Sequence, residues 1–280
     1  MTDSGYNPAD ETAREYYNSE DADNFYYLVW GGEDLHVGLY ERADEPVYDA
    51  SRRTVARMCE LVPSLGRDSE VLDLGGGYGG SGRYLAHTYG CPVKVLNISE
   101  RENERGRDKN REQGVDHLVE IIDGSFDDVP YDDNSFDILW SQDAMLHSGN
   151  RQKVLEEANR VIKPGGYFVF TDPMQADDCP EGVIDPILQR IHLDTLGTPG
   201  FYRDALKKLG FEEITFEDHS DMIAQHYGRV REILIEREED VAHAISRDYM
   251  ERMKTGLGHW VEGGRNGHLA WGIFVFRKSS

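Results

Sequence analysis

Apolar positions in this chain alternate between short continuous runs and spaced stripes. Val71–Leu74, Pro92–Ile98, Leu118–Ile122, Phe136–Trp140 and Tyr167–Thr171 are runs of strand length. Between them lie the segment opening at Arg83, the charged Arg101–Gln113, and Arg151–Val161, each patterned as a helix. Apolar runs separated by helical segments predict βαβ units and a parallel sheet. Upstream, Thr12–Tyr17 and Ala22–Trp30 read as helices ended by Gly31-Gly32, and Ser51–Val62 as a helix stopped by Pro63. Beyond Asp172 the alternation slackens. Ile184–Leu196, Tyr202–Leu209 and the long, charged Asp221–Thr255 read as helical, with late strands at Glu213–Phe216 and Trp271–Arg277. The chain divides into a disordered tail over 1–11, an N-terminal lid over 12–50, an α/β core over 51–175, and a helical insertion with closing strands over 176–280.

Composition narrows the class. With 53 acidic against 30 basic residues the formal net charge is −23, so no basic surface exists to displace counterions from a nucleic acid or an anionic membrane. Only eight of the bases are lysines. Such a surplus fits a protein of salt-accumulating cells and equally an ordinary acidic soluble one. The three cysteines, Cys59, Cys91 and Cys179, lack the spacing of a zinc site and read as free thiols. The N-terminus has no secretory pattern and no run reaches membrane-spanning length, so a cytoplasmic protein is expected, as a monomer or weak homo-oligomer.

Candidate chemistry centres on Glu70–Gly82, EVLDLGGGYGGSG. A strand run ending in Asp73 and Leu74 meets Gly75, Gly76, Gly77 and Gly79 before a helix begins. Such a turn lets a ligand approach backbone N–H groups closely. The wording differs from both the dinucleotide fingerprint and the phosphate-binding loop. It resembles the first motif of the class I S-adenosylmethionine-dependent methyltransferases. That resemblance implies a Rossmann-like α/β fold with a seven-stranded, mostly parallel sheet in the order 3-2-1-4-5-7-6, helices on both faces, and S-adenosylmethionine as cofactor with no metal.

Ligands of open parallel sheets sit beyond the carboxyl ends of the strands. On the resemblance, Asp73, Gly75 and Gly77 face the amino-acid end of the cofactor. Asn97 and Glu102, where the superfamily usually places one acid, accept from the ribose hydroxyls. Ser125 stands where an acid often meets the adenine amino group, with Phe126 flanking the ring and Gln142 ending the fourth strand. The wording from Ser141 to His147 resembles small-amine N-methyltransferases of the phosphobase and glycine-betaine branches. In the phosphobase branch the matching histidine assists deprotonation of the amine. Here that is His147, and imidazole ordinarily titrates in the range the task needs.

Outer segments carry a narrower likeness. Tyr16–Ser19, Phe25–Tyr40, His192–Tyr202, His226–Arg229 and Gly258–Gly264 resemble sarcosine/dimethylglycine N-methyltransferases, a likeness spanning the chain from about residue 12. It implies successive N-methylation of a small amino acid to glycine betaine, a compatible solute, which suits the acidic composition. A nitrogen losing its N–H donors becomes a permanent cation that aromatic faces hold at ~0.5–2 kcal/mol per contact. Tyr26, Trp30 and Tyr202 are the expected rings, with Met174 beside the methyls and Arg203 on the substrate carboxylate. The rivals are a phosphoethanolamine-type methyltransferase, a cyclopropane synthase, and a protein that binds the cofactor without transferring methyl.

Overall fold

The computed structural model describes residues 6–280. Seven strands form one sheet: β1 (Val71–Leu74), β2 (Val93–Asn97), β3 (Val119–Asp123), β4 (Phe136–Gln142), β5 (Ile162–Thr171), β6 (Phe211–Asp218) and β7 (Gly272–Lys278). Their order is β3-β2-β1-β4-β5-β7-β6, with β7 alone antiparallel to its neighbours β5 and β6. This is the order expected above. β1 is buried at all of its positions, as a central parallel strand covered on both faces must be. Met174–Gln175 and Leu269–Ala270 add a two-stranded pair outside the sheet.

The helices are α1 (Pro8–Tyr17), α2 (Glu20–Phe25, continued by a π turn over Tyr26–Trp30), α3 (Val47–Glu60), α4 (Gly80–Tyr89), α5 (Glu100–Glu112), α6 (Arg151–Val161), α7 (Asp185–Ile191), α8 (Pro199–Lys208), α9 (Asp221–Glu236), α10 (Glu238–Val241) and α11 (Arg247–Arg265). α1 begins at Pro8, within the span read as a disordered tail, of which residues 1–5 lie outside the described residues. The reason is local: the Asn7 side chain accepts from the backbone N–H of Ala9 and Asp10, and Pro8 supplies a preset first helical residue. The long helical stretch read over Asp221–Thr255 is three helices, and the last runs on to Arg265. Ile184–Leu196 holds only the short α7, closed by His192 at φ +56°.

Three apolar clusters organise the interior. Two flank the sheet, one on each face. The third joins α2 and its π turn to α7, α9 and α11 through Phe25, Trp30, Tyr227 and Trp260. The rings of the N-terminal arm therefore both pack as core and line the cleft beside it.

Candidate active site

The turn after β1 needs its glycines. Gly75 has φ +72°, and a Cβ there would come within 2.4 Å of Ala144 Cβ. At Gly80 the added atom would sit 2.4 Å from the Glu33 carbonyl oxygen, so a bare backbone lets the arm close over the start of α4. The result is a cavity beyond the carboxyl ends of β1–β4, roofed by the arm. All eight residues expected to hold a cofactor line it: Asp73, Gly75, Gly77, Asn97, Glu102, Ser125, Phe126 and Gln142.

Several buried polar atoms in this cavity lack protein partners. Gln142 Oε1 accepts from Ser81 Oγ at 2.6 Å and Trp140 Nε1 at 2.8 Å, which fixes the amide and leaves Nε2 with no partner. Glu102 takes one bond on Oε2 from Asn97 Nδ2 at 3.0 Å, while Oε1 has none. Burial pushes the Glu102 carboxyl up to about 8 and that of Asp73 up to about 7. Acceptors and donors left unpaired in a buried cleft fit a polyhydroxylated ligand with a charged amino-acid end. The residues present thus suit S-adenosylmethionine.

A second, inner cavity adjoins the first. Its walls include Tyr17, Tyr26, Trp30, Arg190, Tyr227 and Trp260, and it shares Tyr17, Leu35, Asp143 and His147 with the cofactor cavity. His147 stands at the boundary, its Nε2 bonded to the Tyr17 hydroxyl at 2.8 Å. Enclosure pushes its imidazole down to about 4, helped by the Arg151 and Arg190 guanidiniums. His147 is therefore a neutral base at ordinary pH, not a group titrating near neutrality as its type alone suggests. Asp143, in the left-handed region at φ +52°, also stands at the boundary. Its carboxylate accepts from Val37 N at 2.6 Å, Thr171 Oγ1 at 2.7 Å and Trp271 Nε1 at 2.8 Å, tying the arm to two strand ends. A wider opening bounded by α1, α7 and α11 leads outward from Tyr17, His147 and Arg190.

The expected substrate residues divide. Tyr26 and Trp30 line the inner cavity. Met174 does not: it is fully buried in the two-stranded pair, behind the wall. Tyr202 is fully buried against Phe170 and Phe274, and its hydroxyl donates to Asp172 Oδ2 at 2.6 Å. Asp172 Oδ1 accepts from Leu146 N at 2.9 Å, so Tyr202 steadies the turn that carries His147 without facing the cavity. Arg203 points to the outer surface, donating to Glu213 at 2.8 Å and lying over Phe216. The cation lining the inner cavity is instead Arg190, half-buried against Met253 Sδ. Among the described residues, no carboxylate lies within ion-pair distance of it. No signal in the sequence marked it, because α7 is short and its register depends on α11. Asp10 and Tyr17 were likewise missed as cavity residues, although Tyr17 lies in a segment singled out above.

Comparison with known proteins follows the same lines. Residues 72–170 match the methyltransferase domain family. Sarcosine/dimethylglycine N-methyltransferase of Halorhodospira halochloris is 66% identical over 268 residues, covering 96% of each chain. The enzyme of that name from Aphanothece halophytica is 52% identical, covering 95% of this chain and 96% of its own. The crystal structure of a protein assigned as a sarcosine dimethylglycine methyltransferase, from Galdieria sulphuraria, superposes with a TM-score of 0.89 at 42% identity. It covers 94% of this chain and 99% of its own.

Proposed function

The chain belongs to the family of sarcosine/dimethylglycine N-methyltransferases, and on that premise we propose that it methylates sarcosine and then dimethylglycine to glycine betaine, as a cytoplasmic enzyme. The observation that carries the substrate is Arg190, a guanidinium with no carboxylate partner among the described residues, in a cavity walled by tyrosine and tryptophan rings. A small zwitterion needs this pair of features. Its carboxylate takes the guanidinium, and its increasingly methylated nitrogen takes aromatic faces. Tyr26 and Trp30 supply such faces beside Tyr227 and Trp260, which stack on each other with centroids 4.7 Å apart.

When bound, S-adenosylmethionine supplies a methyl already activated on a sulfonium, which the amine lone pair takes in line as the thioether leaves. Asp73, Gly75, Gly77 and Gln142 would hold its amino-acid end, Asn97 and Glu102 its ribose, and Ser125 and Phe126 its base. The reaction asks for no metal, because the methyl carries its own activation. What the protein adds is alignment, exclusion of water and an amine freed of its proton. An ammonium has no lone pair. Neutral His147, at the boundary of the two cavities and bonded to Tyr17, accepts the proton and passes it toward the outward opening.

A phosphoethanolamine acceptor is the second reading, and it would call for several cations around a phosphate. Among the described residues lining the inner cavity, Arg190 is the one arginine or lysine. The test is mass spectrometry of reactions with S-adenosylmethionine and, separately, glycine, sarcosine, dimethylglycine and phosphoethanolamine. Betaine from sarcosine and dimethylglycine is expected. Methylated phosphoethanolamine alone would overturn the substrate, and bound cofactor without any product would overturn the activity.

A further inference from the structure

A helix docked on a protein normally buries an apolar stripe. α1 does the reverse: its one buried residue is Asp10, 4% exposed. At its C-terminal end Tyr16 and Tyr17 pack on Tyr26, and its N-terminal part is fastened by polar contacts at the rim of the cofactor cavity. Asn7 donates to Asp127 at 2.8 Å, and Arg14 donates to Glu100 at 2.8 Å. Asp10 itself lines that cavity, and its Oδ2 accepts from Ser125 Oγ at 2.5 Å.

A buried carboxylate is costly unless donors surround it. It offers about four lone-pair sites, and the Ser125 hydroxyl fills one of them. The other donor expected there can be read from the cavity's layout. The glycine turn and the partnerless Gln142 Nε2 lie at its β1–β4 end, and the partnerless Glu102 Oε1 stands after β2. A nucleoside whose hydroxyls reach Glu102 extends its base to the walls after β2 and β3, formed by Ile98, Gly124, Ser125 and Phe126. Asp10 closes that end from the arm side. Adenine presents one exocyclic donor, its 6-amino group, and a carboxylate is its natural acceptor.

We propose that Asp10 reads the 6-amino group of the cofactor's adenine, so that base recognition is shared between the core, through Ser125, and the arm, through Asp10. The arm then latches on an adenine nucleoside. The cofactor enters with α1 raised, and its amino group completes the set of donors that lets Asp10 stay buried. The inference rests on the cofactor assignment above, and the test separates the two.

Calorimetry would compare S-adenosylhomocysteine with S-inosylhomocysteine, whose base bears a 6-keto acceptor in place of the amine. The wild-type protein is expected to prefer the adenosyl compound by about tenfold or more, the usual worth of a hydrogen bond to a charged group. Asp10→Asn presents both a donor and an acceptor, so its preference should fall to about threefold or less. Ser125→Ala, which keeps the carboxylate but removes the core's share, should lower the preference less than Asp10→Asn does. Both ligands are measured on one preparation, so a partly unfolded variant lowers both signals and leaves the ratio intact. Tryptic cleavage at Arg14 should be slowed by the adenosyl compound and not by the inosyl one. An Asp10→Asn protein with undiminished preference, or protection of Arg14 by both ligands alike, would overturn the proposal. Failure of the wild type to bind either compound would overturn the cofactor assignment and this inference with it.

Discussion

His147 and Glu102 show how a cavity resets ordinary side-chain chemistry. With its imidazole pushed down to about 4, His147 is neutral near pH 7. The kcat/KM profile of the wild type should therefore show no acid limb near pH 6.5 attributable to this residue. His147→Gln should cut kcat by about 10²-fold or more, the usual yield of a positioned base. An unchanged kcat would remove His147 from the reaction. Glu102 moves the other way, its carboxyl pushed up to about 8 by burial. Its folded value lies above the unfolded one. The empty protein therefore gains stability from this group at low pH and loses it as pH rises through about 8. Ribose hydroxyls donate to the ionised form, so affinity for S-adenosylhomocysteine should strengthen as pH rises through about 8. Glu102→Gln should flatten that dependence, and a pH slope identical in the two proteins would show that Glu102 does not contact the ligand.

At the scale of elements, α11 positions the cation of the inner cavity. A Cβ at Gly256 would lie 2.1 Å from both Cδ and Nε of Arg190, so α11 accepts the α7 side chain only across a bare backbone. Gly256→Ala should displace Arg190 and raise KM for sarcosine with little change in affinity for S-adenosylhomocysteine. Arg190→Met should raise KM at least as much. If Gly256→Ala leaves KM unmoved while Arg190→Met raises it, the guanidinium reaches the substrate without needing that contact. The arm is attached by charge as much as by its rings. Asp23 pairs with Arg105 at 2.5 Å, Glu33 with Arg83 at 2.6 Å and with Lys109 at 3.0 Å, and Asp34 with Arg52 at 2.9 Å. Removing one partner of such a buried pair strands the other, typically at about 3–5 kcal/mol. A lid so fastened stays in register with the glycine turn.

Over the whole molecule the net charge of −23 sets the dependence on solvent. Like charges repel across the surface, and the screening length falls from about 30 Å at 0.01 M salt to about 10 Å at 0.1 M and about 3 Å at 1 M. The melting temperature should rise with sodium chloride from 0.01 M and gain most of its increment by about 0.3 M, the mark of screening. A melting temperature flat across that range would show that the ion pairs already offset the surplus. None of the helices among the described residues is long and apolar enough to cross a membrane.

Much of this was legible in the sequence, for a physical reason. Strand runs, helix stripes and the glycine turn are local patterns, since a parallel strand must be apolar on both faces and a tight turn over a ligand must lack Cβ. The sheet and the eight expected residues that line the cavity beyond β1–β4 follow from the ends of those runs, because such sheets bind ligands at one edge. The inner cavity obeys no such rule. Its walls come from the arm, α7, α9 and α11, whose mutual packing is set by which rings fit together and by one glycine on α11. Tyr202 and Arg203 adjoin in the sequence beside a motif that resembles the family, yet one is core and the other faces solvent. Arg190 and Asp10 carry no local mark at all. Only the tertiary structure shows that a guanidinium lacks a carboxylate and that a helix buries its acid, because both are statements about what surrounds a side chain.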